Sequence, residues 1–545
     1  MTIARCPAPS QPPTRWAWAG AMALLLALTG CSSLPTNVER PPSSAWATPE
    51  ATGLGQLARS LQPASRSGGA ESGFALLTSA DMALQARLAL VDAAEKTLDI
   101  QYYAIHADPT TALLFTRLRA AAARGVRVRI LLDDFNSTGR DAQVLRLAFV
   151  PNIALRLFNP LPGGRGSLML RILGSLDDVP RIQRRMHNKI FVADNAWAIT
   201  GGRNLGETYF GQGDATQFID TDLLATGPVV RALSTSFDSY WNNELAYPMQ
   251  SLVSRDELDA LRAQQTASAA PPSDTVGSAP PATARPPRPE LPVVAPLDVR
   301  EIPLTWAPAA VLVDKPSKIA ADAAETEDRQ DTVVDGLLQL VAQARRELLI
   351  VSPYFVPGER MMAQFIALRA RGVRIRILTN SLASNDAPLA HVGYARYRTA
   401  LLEAGIELFE MRAAAGGTPG GISGSGSTPG SRASLHSKLV VMDGRLLVVG
   451  SMNLDLRSQL QNSEVALVVR SPALARSAAQ LIETTLAGAT YRVQQINGQL
   501  VWSAAGPPPP GTDPPAGPLT TEPDTGPGLR LLLWLIGPLA PDEML

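Results

Sequence analysis

Cysteine is nearly missing from this chain. Cys6 and Cys31 are the whole supply in 545 residues, and both lie near the start. Whatever folds after residue 31 has no thiol, which excludes disulfides and cysteine-based metal sites. Lysine and histidine are scarce as well: five lysines and four histidines stand against 44 arginines. Net charge is absent, because 49 basic side chains balance 49 acidic ones. No overall basic field draws nucleic acid, so nucleic acid is not expected as a partner. The apolar runs at the two ends are both too short to span a bilayer. What the chain does have is 46% hydrophobic residues, enough for sizeable cores, and a length that implies two or three domains.

The scarce residues cluster. Met186-His187-Asn188-Lys189 runs on to Asp194, and Leu435-His436-Ser437-Lys438 runs on to Asp443. Both strings read His-x-Lys-x4-Asp, and their histidines lie 249 residues apart. At this composition a histidine has Lys at +2 and Asp at +7 roughly once in two thousand tries, so chance does not explain two hits. Burial alone does not explain them either, because a buried lysine is unfavourable unless paired.

The N-terminus reads as a targeting segment. Arg5 and Arg15 precede an apolar stretch from Trp16 to Leu28, followed by Leu28-Thr29-Gly30-Cys31-Ser32. A basic start, a short apolar stretch and a small-residue exit describe a secretory signal. The cysteine after Thr-Gly resembles a bacterial lipobox, which makes residues 1–31 a lipoprotein signal and Cys31 the lipidated residue. Serine at the second mature position resembles outer-membrane sorting. The expected location is the cell envelope, lipid-anchored and facing the periplasm.

The chain also repeats itself. Leu90–Ile100 matches Leu340–Ile350, and Ala123–Leu131 matches Ala370–Leu378, with offsets of 250 and 247. A period this long means domain duplication. In each half an apolar-periodic helix leads into an alternating strand; Asp108-Pro109 opens the next helix, and Gly125 closes it before a second strand. Strands interleaved with helices predict an α/β fold, here two duplicated α/β sandwich domains. The domains are placed at 74–250 and 297–500. A tether spans 32–73, a Pro/Ala-rich linker 251–296 and a Gly/Ser insertion 413–434. Residues 501–545 form a Pro/Gly-rich tail with an apolar run at Arg530–Ile536, which either docks on the core or touches lipid.

In a strand, residues i and i+2 share a face, so each histidine projects with its lysine. A turn follows at Asp194-Asn195 and at Asp443-Gly444, and the returning strands end at Gly201-Gly202-Arg203-Asn204 and Gly450-Ser451-Met452-Asn453. The two aspartates lie at odd spacing from their histidines and are expected to hold the hairpins. Two lysines and the Asn204 and Asn453 amides suit the oxygens of a phosphodiester. One neutral histidine can attack phosphorus while the other, protonated, serves the leaving alcohol. The repeat makes Asp220 the equivalent of Glu464, with Asp222 as a second candidate, to set the two protonation states. Arg181, Arg184 and Arg185 either attract phosphate or form a solvated face. His106 and His391, without lysine partners, are assigned to local structure or substrate contact.

With its paired motifs, each followed by Gly-[Gly/Ser]-x-Asn, the chain resembles the phospholipase D superfamily. Leu98-Asp99-Ile100-Gln101-Tyr102-Tyr103, Ser352-Pro353-Tyr354-Phe355-Val356-Pro357 and Thr379-Asn380-Ser381-Leu382 are similar to bacterial cardiolipin synthases of the C type. The resemblance implies a pseudo-twofold axis, one active site between the halves, no metal and no cofactor. It implies His187 as nucleophile and His436 as acid/base, and it counts Asp194 and Asp443 with the site. The activity expected is transfer of a phosphatidyl group from one phospholipid to phosphatidylglycerol. Hydrolysis to phosphatidic acid, an envelope nuclease and a non-catalytic phospholipid-binding lipoprotein are the alternatives.

Overall fold

The computed structural model describes residues 34–63, 71–163, 168–176, 178–211, 217–253, 294–320, 331–413, 433–505, 517–537 and 541–542. The signal segment, most of the linker and the interior of the Gly/Ser insertion lie outside the described residues.

The first half contributes β1 (Ser72–Leu77), β2 (Thr97–Tyr102), β3 (Arg127–Asp133), β4 (Ile153–Phe158), β5 (Ile190–Ala193), β6 (Trp197–Gly201), β7 (Gln217–Ile219), β8 (Asp222–Thr226) and β9 (Ala246–Pro248). The second contributes β10 (Thr305–Ala307), β11 (Ala309–Val313), β12 (Glu347–Val351), β13 (Arg374–Asn380), β14 (Glu407–Met411), β15 (Ala433–Leu435), β16 (Leu439–Met442), β17 (Leu446–Gly450), β18 (Val465–Arg470), β19 (Thr490–Ile496) and β20 (Gln499–Ala504). The first sheet runs β10-β1-β8-β6-β5-β2-β3-β4-β9, and the second β11-β18-β17-β16-β12-β13-β14-β19-β20. Eight strands in each follow the same path, so the duplication is one of topology as well as sequence. Helices cover the faces: α1 (Gly53–Leu61), α2 (Ala80–Ala93), α3 (Pro109–Ala123) and α4 (Pro228–Trp241) in the first half, α5 (Val333–Val341), α6 (Gly358–Ala370), α7 (Pro388–Glu403) and α8 (Pro472–Gly488) in the second.

Local chemistry explains these elements. Asp108 caps α3, accepting from the Thr111 amide at 2.9 Å, and Pro109 opens the helix. Gly125 and Gly372 end α3 and α6 with φ of 94° and 83°, which a side chain resists. Asp194 and Asn195 take φ of 51° and 52°, and Asp443 and Gly444 take 56° and 63°, the signature of a type I′ hairpin.

Three boundaries differ from the sequence reading. The expected tether contains α1, whose Leu54 is buried and whose Leu54 carbonyl accepts from Trp197 Nε1 at 3.0 Å. Val299 joins the core of the first half, and β10 completes the edge of the first sheet although it follows the linker. Finally, β5 and β16 begin at Ile190 and Leu439, after the His-x-Lys residues. The lead-in segments leave their own sheets because they pair with the other half. The His187 amide donates to the Ser463 carbonyl at 2.9 Å, and β15 runs parallel to β7.

The cross-pairing has a shared core beneath it. Ile190, Val192, Ile219 and Leu223 of the first half pack with Leu435, Leu439, Val449 and Val465 of the second. The tail run forms α9 (Pro527–Ile536). It buries Leu533, partly buries Arg530 and Ile536, and leaves Leu531, Leu532, Trp534 and Leu535 exposed. No helix among the described residues is long and apolar enough to cross a membrane.

Candidate active site

Each histidine is held by a carboxylate from the opposite half. His187 Nδ1 lies 3.0 Å from both oxygens of Glu464, and His436 Nδ1 lies 2.7 Å from Asp220. Both carboxylates are fully buried. The two lead-in segments explain the crossing. The segment before each histidine is laid in parallel against the residues just before the other half's carboxylate, 186 beside 463 and 433–435 beside 217–219. With Nδ1 facing a carboxylate, Nε2 is the ring atom left to meet phosphorus or a leaving oxygen.

The lysines complete the floor. Lys189 Nζ donates to the His187 carbonyl at 2.9 Å, and Lys438 Nζ donates to the His436 carbonyl at 2.6 Å. Burial, the two lysines and the neighbouring Arg457 push His187 well below its ordinary pKa. Burial and Lys438 do the same to His436, but Asp386 opposes the shift. His436 also feels both Lys189 and His187, so the two motifs face one site. Burial lowers Lys189 to about 7 despite the attraction of Glu464, and it lowers Lys438 as well. Burial raises Glu464 to about 7 and Asp220 to about 6, against the pull of the lysines. Burial thus disfavours charge on the lysines and the carboxylates alike, and a phosphate anion beside the lysines favours their charged form.

The structure places the other predicted residues as follows. Asp194 accepts the Glu95, Lys96 and Thr97 amides at 2.7–2.9 Å, and Asp443 accepts those of Arg345, Arg346 and Glu347 at 2.8–3.2 Å. These aspartates tie each hairpin to the strand beside it, the role expected of them, and are not bonded to the histidines. Asp222 is not a histidine partner: it pairs with the buried Arg87 at 2.8 Å, because its strand face points into the helix layer. Asn204 and Asn453 are both buried at the site. Asn204 Nδ2 is engaged by the Tyr209 hydroxyl at 3.0 Å, while Oδ1 of each asparagine has no partner among the described residues. Half a turn of the Asn204 amide lets that hydroxyl donate to Oδ1 and frees the NH2 group for phosphate. Two of the three arginines before His187 pair with carboxylates of the first half: Arg181 with Asp178 at 2.7 Å, and the buried Arg185 with Asp133 at 3.4 Å. His106 lies 2.9 Å from Asp141, and His391 lies 3.3 Å from Glu522, so each has a carboxylate partner in its own half of the chain.

Other residues of the site were not assigned a role from the sequence, although Tyr103 and Ser451 lie in stretches already singled out. Tyr103 meets the His187 ring edge-on at 5.1 Å, while Tyr209 and Phe218 flank His436 at 5.2 and 5.1 Å. Ser458 donates to Glu464 at 2.9 Å, and Ser451 donates to its other oxygen. Asp133 accepts the Met186 amide at 2.9 Å and so fixes the approach to His187. Tyr103 closes the Leu98–Tyr103 stretch and follows β2 directly, whereas Phe218 had only its position two residues before Asp220 as a signal.

No group of histidine and acidic residues able to hold a metal occurs among the described residues. The fold and the doubled His–Lys site define a phospholipase D-type enzyme. The sequence profile described as "Cardiolipin synthase, PLD-like domain" matches residues 88–241 and 337–486, and the chain belongs to that family. It is 38% identical to cardiolipin synthase C of Escherichia coli over 394 residues, 72% of this chain and 80% of that one. It is 31% identical to an uncharacterized protein of Helicobacter pylori, covering 82% of this chain and 85% of the relative. A crystal structure of phosphatidylserine synthase from Haemophilus influenzae shares the fold, with a TM-score of 0.51 at 14% identity over 77% of this chain and 87% of that one.

Proposed function

We propose that the protein is a phosphatidyltransferase that makes cardiolipin from phosphatidylglycerol and a second phospholipid. The observation that carries the reading is the crossed pairing, in which each half supplies the histidine and the other half its carboxylate. The kinship with cardiolipin synthase C supports the same choice.

His187 is the nucleophile and His436 the acid/base. The surroundings of the rings support this division. Arg457 beside His187 favours the neutral, attacking ring, and Asp386 beside His436 favours the protonated one. In the first step His187 Nε2 bonds to phosphorus, the bond from phosphorus to the head-group oxygen breaks, and His436 gives its proton to that oxygen. In the second step a glycerol hydroxyl of phosphatidylglycerol yields its proton to His436. The same oxygen attacks phosphorus, the P–N bond breaks, and His187 is regenerated. Lys189, Lys438 and the two asparagines hold the charge that builds on the equatorial oxygens.

The test is incubation of the protein with labelled phosphatidylglycerol, with and without phosphatidylethanolamine. Cardiolipin is the expected product; phosphatidic acid alone makes the protein a hydrolase, and no turnover removes the enzymatic reading. His187→Ala and His436→Ala should each lose roughly a thousandfold or more in turnover. Full activity in either one refutes the paired mechanism.

The protein acts from a lipid anchor at Cys31, in the envelope and facing the periplasm. The support is the basic, apolar and small-residue order of residues 5–31. Two-dimensional confinement concentrates it on its membrane substrate. Cys31→Ala should move the protein from the outer-membrane to the soluble fraction; unchanged fractionation and no incorporation of labelled palmitate into the wild type would remove the anchor.

A further inference from the structure

Asp386 is an exposed carboxylate at the edge of a site made to receive an anion, which calls for a reason. It lies in the loop between β13 and α7. Tyr354, just past β12, donates its hydroxyl to both oxygens at 2.9 and 2.8 Å. Ser434 on β15, two residues before His436, lies 3.4 Å from one of them. The carboxylate is thus tied to the strand that carries the acid/base histidine. Its charge reaches His436, Lys438 and Tyr209. The charged groups that act most on His187 are instead Lys189, Lys438 and Arg457.

A negative charge here opposes phosphate binding unless something on the substrate answers it. The alcohol that leaves, and the one that enters, must both pass His436 to exchange a proton. Asp386 therefore stands on the alcohol's side of phosphorus. Its lone pairs not used by Tyr354 can accept from hydroxyls or an ammonium, and Tyr209 and Phe218 supply aromatic surface around His436.

The geometry points to Asp386, oriented by Tyr354, as the head-group-binding residue of this enzyme, selecting phospholipids whose head group carries a hydrogen-bond donor: glycerol hydroxyls or the ethanolamine ammonium. This rests on the phosphatidyltransferase reading and adds the choice of alcohol to it.

The experiment compares wild type, Asp386→Asn and Tyr354→Phe on three labelled donors in mixed vesicles: phosphatidylethanolamine, phosphatidylglycerol and phosphatidylmethanol, whose head group has no donor. The quantity read is kcat/KM for each donor-bearing lipid divided by that for phosphatidylmethanol. Asp386→Asn should lower this ratio at least tenfold for one or both donor-bearing lipids, and Tyr354→Phe should lower it in the same direction. A fall for phosphatidylethanolamine alone identifies the ammonium as the group bound; a fall for both lipids identifies donor chemistry shared by the two. Unchanged ratios in both variants, with or without loss of overall rate, overturn the assignment and leave the transferase reading standing. A wild type inert on all three donors overturns the transferase reading and this inference with it.

Discussion

Glu464 shows how one side chain joins stability to chemistry. Burial raises it to about 7, so the folded state holds this proton more tightly than the unfolded chain, where the ordinary value is 4.5. A raised carboxyl gives a contribution to stability that is full below about pH 4.5 and is lost as pH rises through about 7. Glu464→Gln has no such proton to lose. The melting temperature of the wild type, relative to that variant, should therefore fall between pH 4.5 and 7. A difference that stays flat across the window would show that Glu464 is ionised throughout. The sequence made Asp220 and Glu464 equivalent through their spacing to Gly227-Pro228 and Ser471-Pro472. It offered no way to see that each would serve the histidine of the other half.

At the scale of elements, the hairpin corner after each motif is matched to the carboxylate it faces. A Cβ on Gly202 would lie 2.5 Å from both oxygens of Asp220. At the equivalent position Ser451 is accommodated, and its hydroxyl donates to Glu464. Glycine goes with aspartate in one half and serine with glutamate in the other. Gly202→Ser should therefore displace Asp220 from His436 and lower kcat at least roughly tenfold. The double variant Gly202→Ser, Asp220→Glu, which copies the second half, should recover part of the loss. A single variant with wild-type kcat, measured by cardiolipin formation, would show that the corner has room to spare. The hairpins themselves were legible: Asp194-Asn195 and Asp443-Gly444 are turn pairs flanked by apolar runs. The start of the strand was not, because His187 and His436 leave their own sheets for carboxylates 277 and 216 residues away in sequence.

At the scale of the whole molecule, the two halves are one body. Their sheets share a core, β15 lies on β7, and β10 crosses from one half to close the other's sheet. The covalent connection between them is then less important than the surface they bury. Cleavage at a protease site introduced between residues 264 and 290 should leave the halves associated on size exclusion and active in cardiolipin synthesis. Separation of the fragments under native conditions would show that the shared core is too weak to hold them. Neither half can be active by itself, since each lacks the histidine that protonates or attacks and the carboxylate that holds its own ring.

The sequence by itself determined the duplication, the α/β character and the identity of the His–Lys pairs. These follow from periodicity and from rare residues placed at fixed spacing, both of which are local. It also placed Asp194 and Asp443 in the hairpin turns through the Asp194-Asn195 and Asp443-Gly444 pairs, although strand parity with the histidines does not hold, since both strands begin after the lysines. Tertiary structure decided which carboxylate meets which ring, why Asp222 instead neutralises Arg87, and where Asp386 stands. Those contacts join residues as much as 277 positions apart, and only the packing of one sheet against its twin brings them within hydrogen-bond reach.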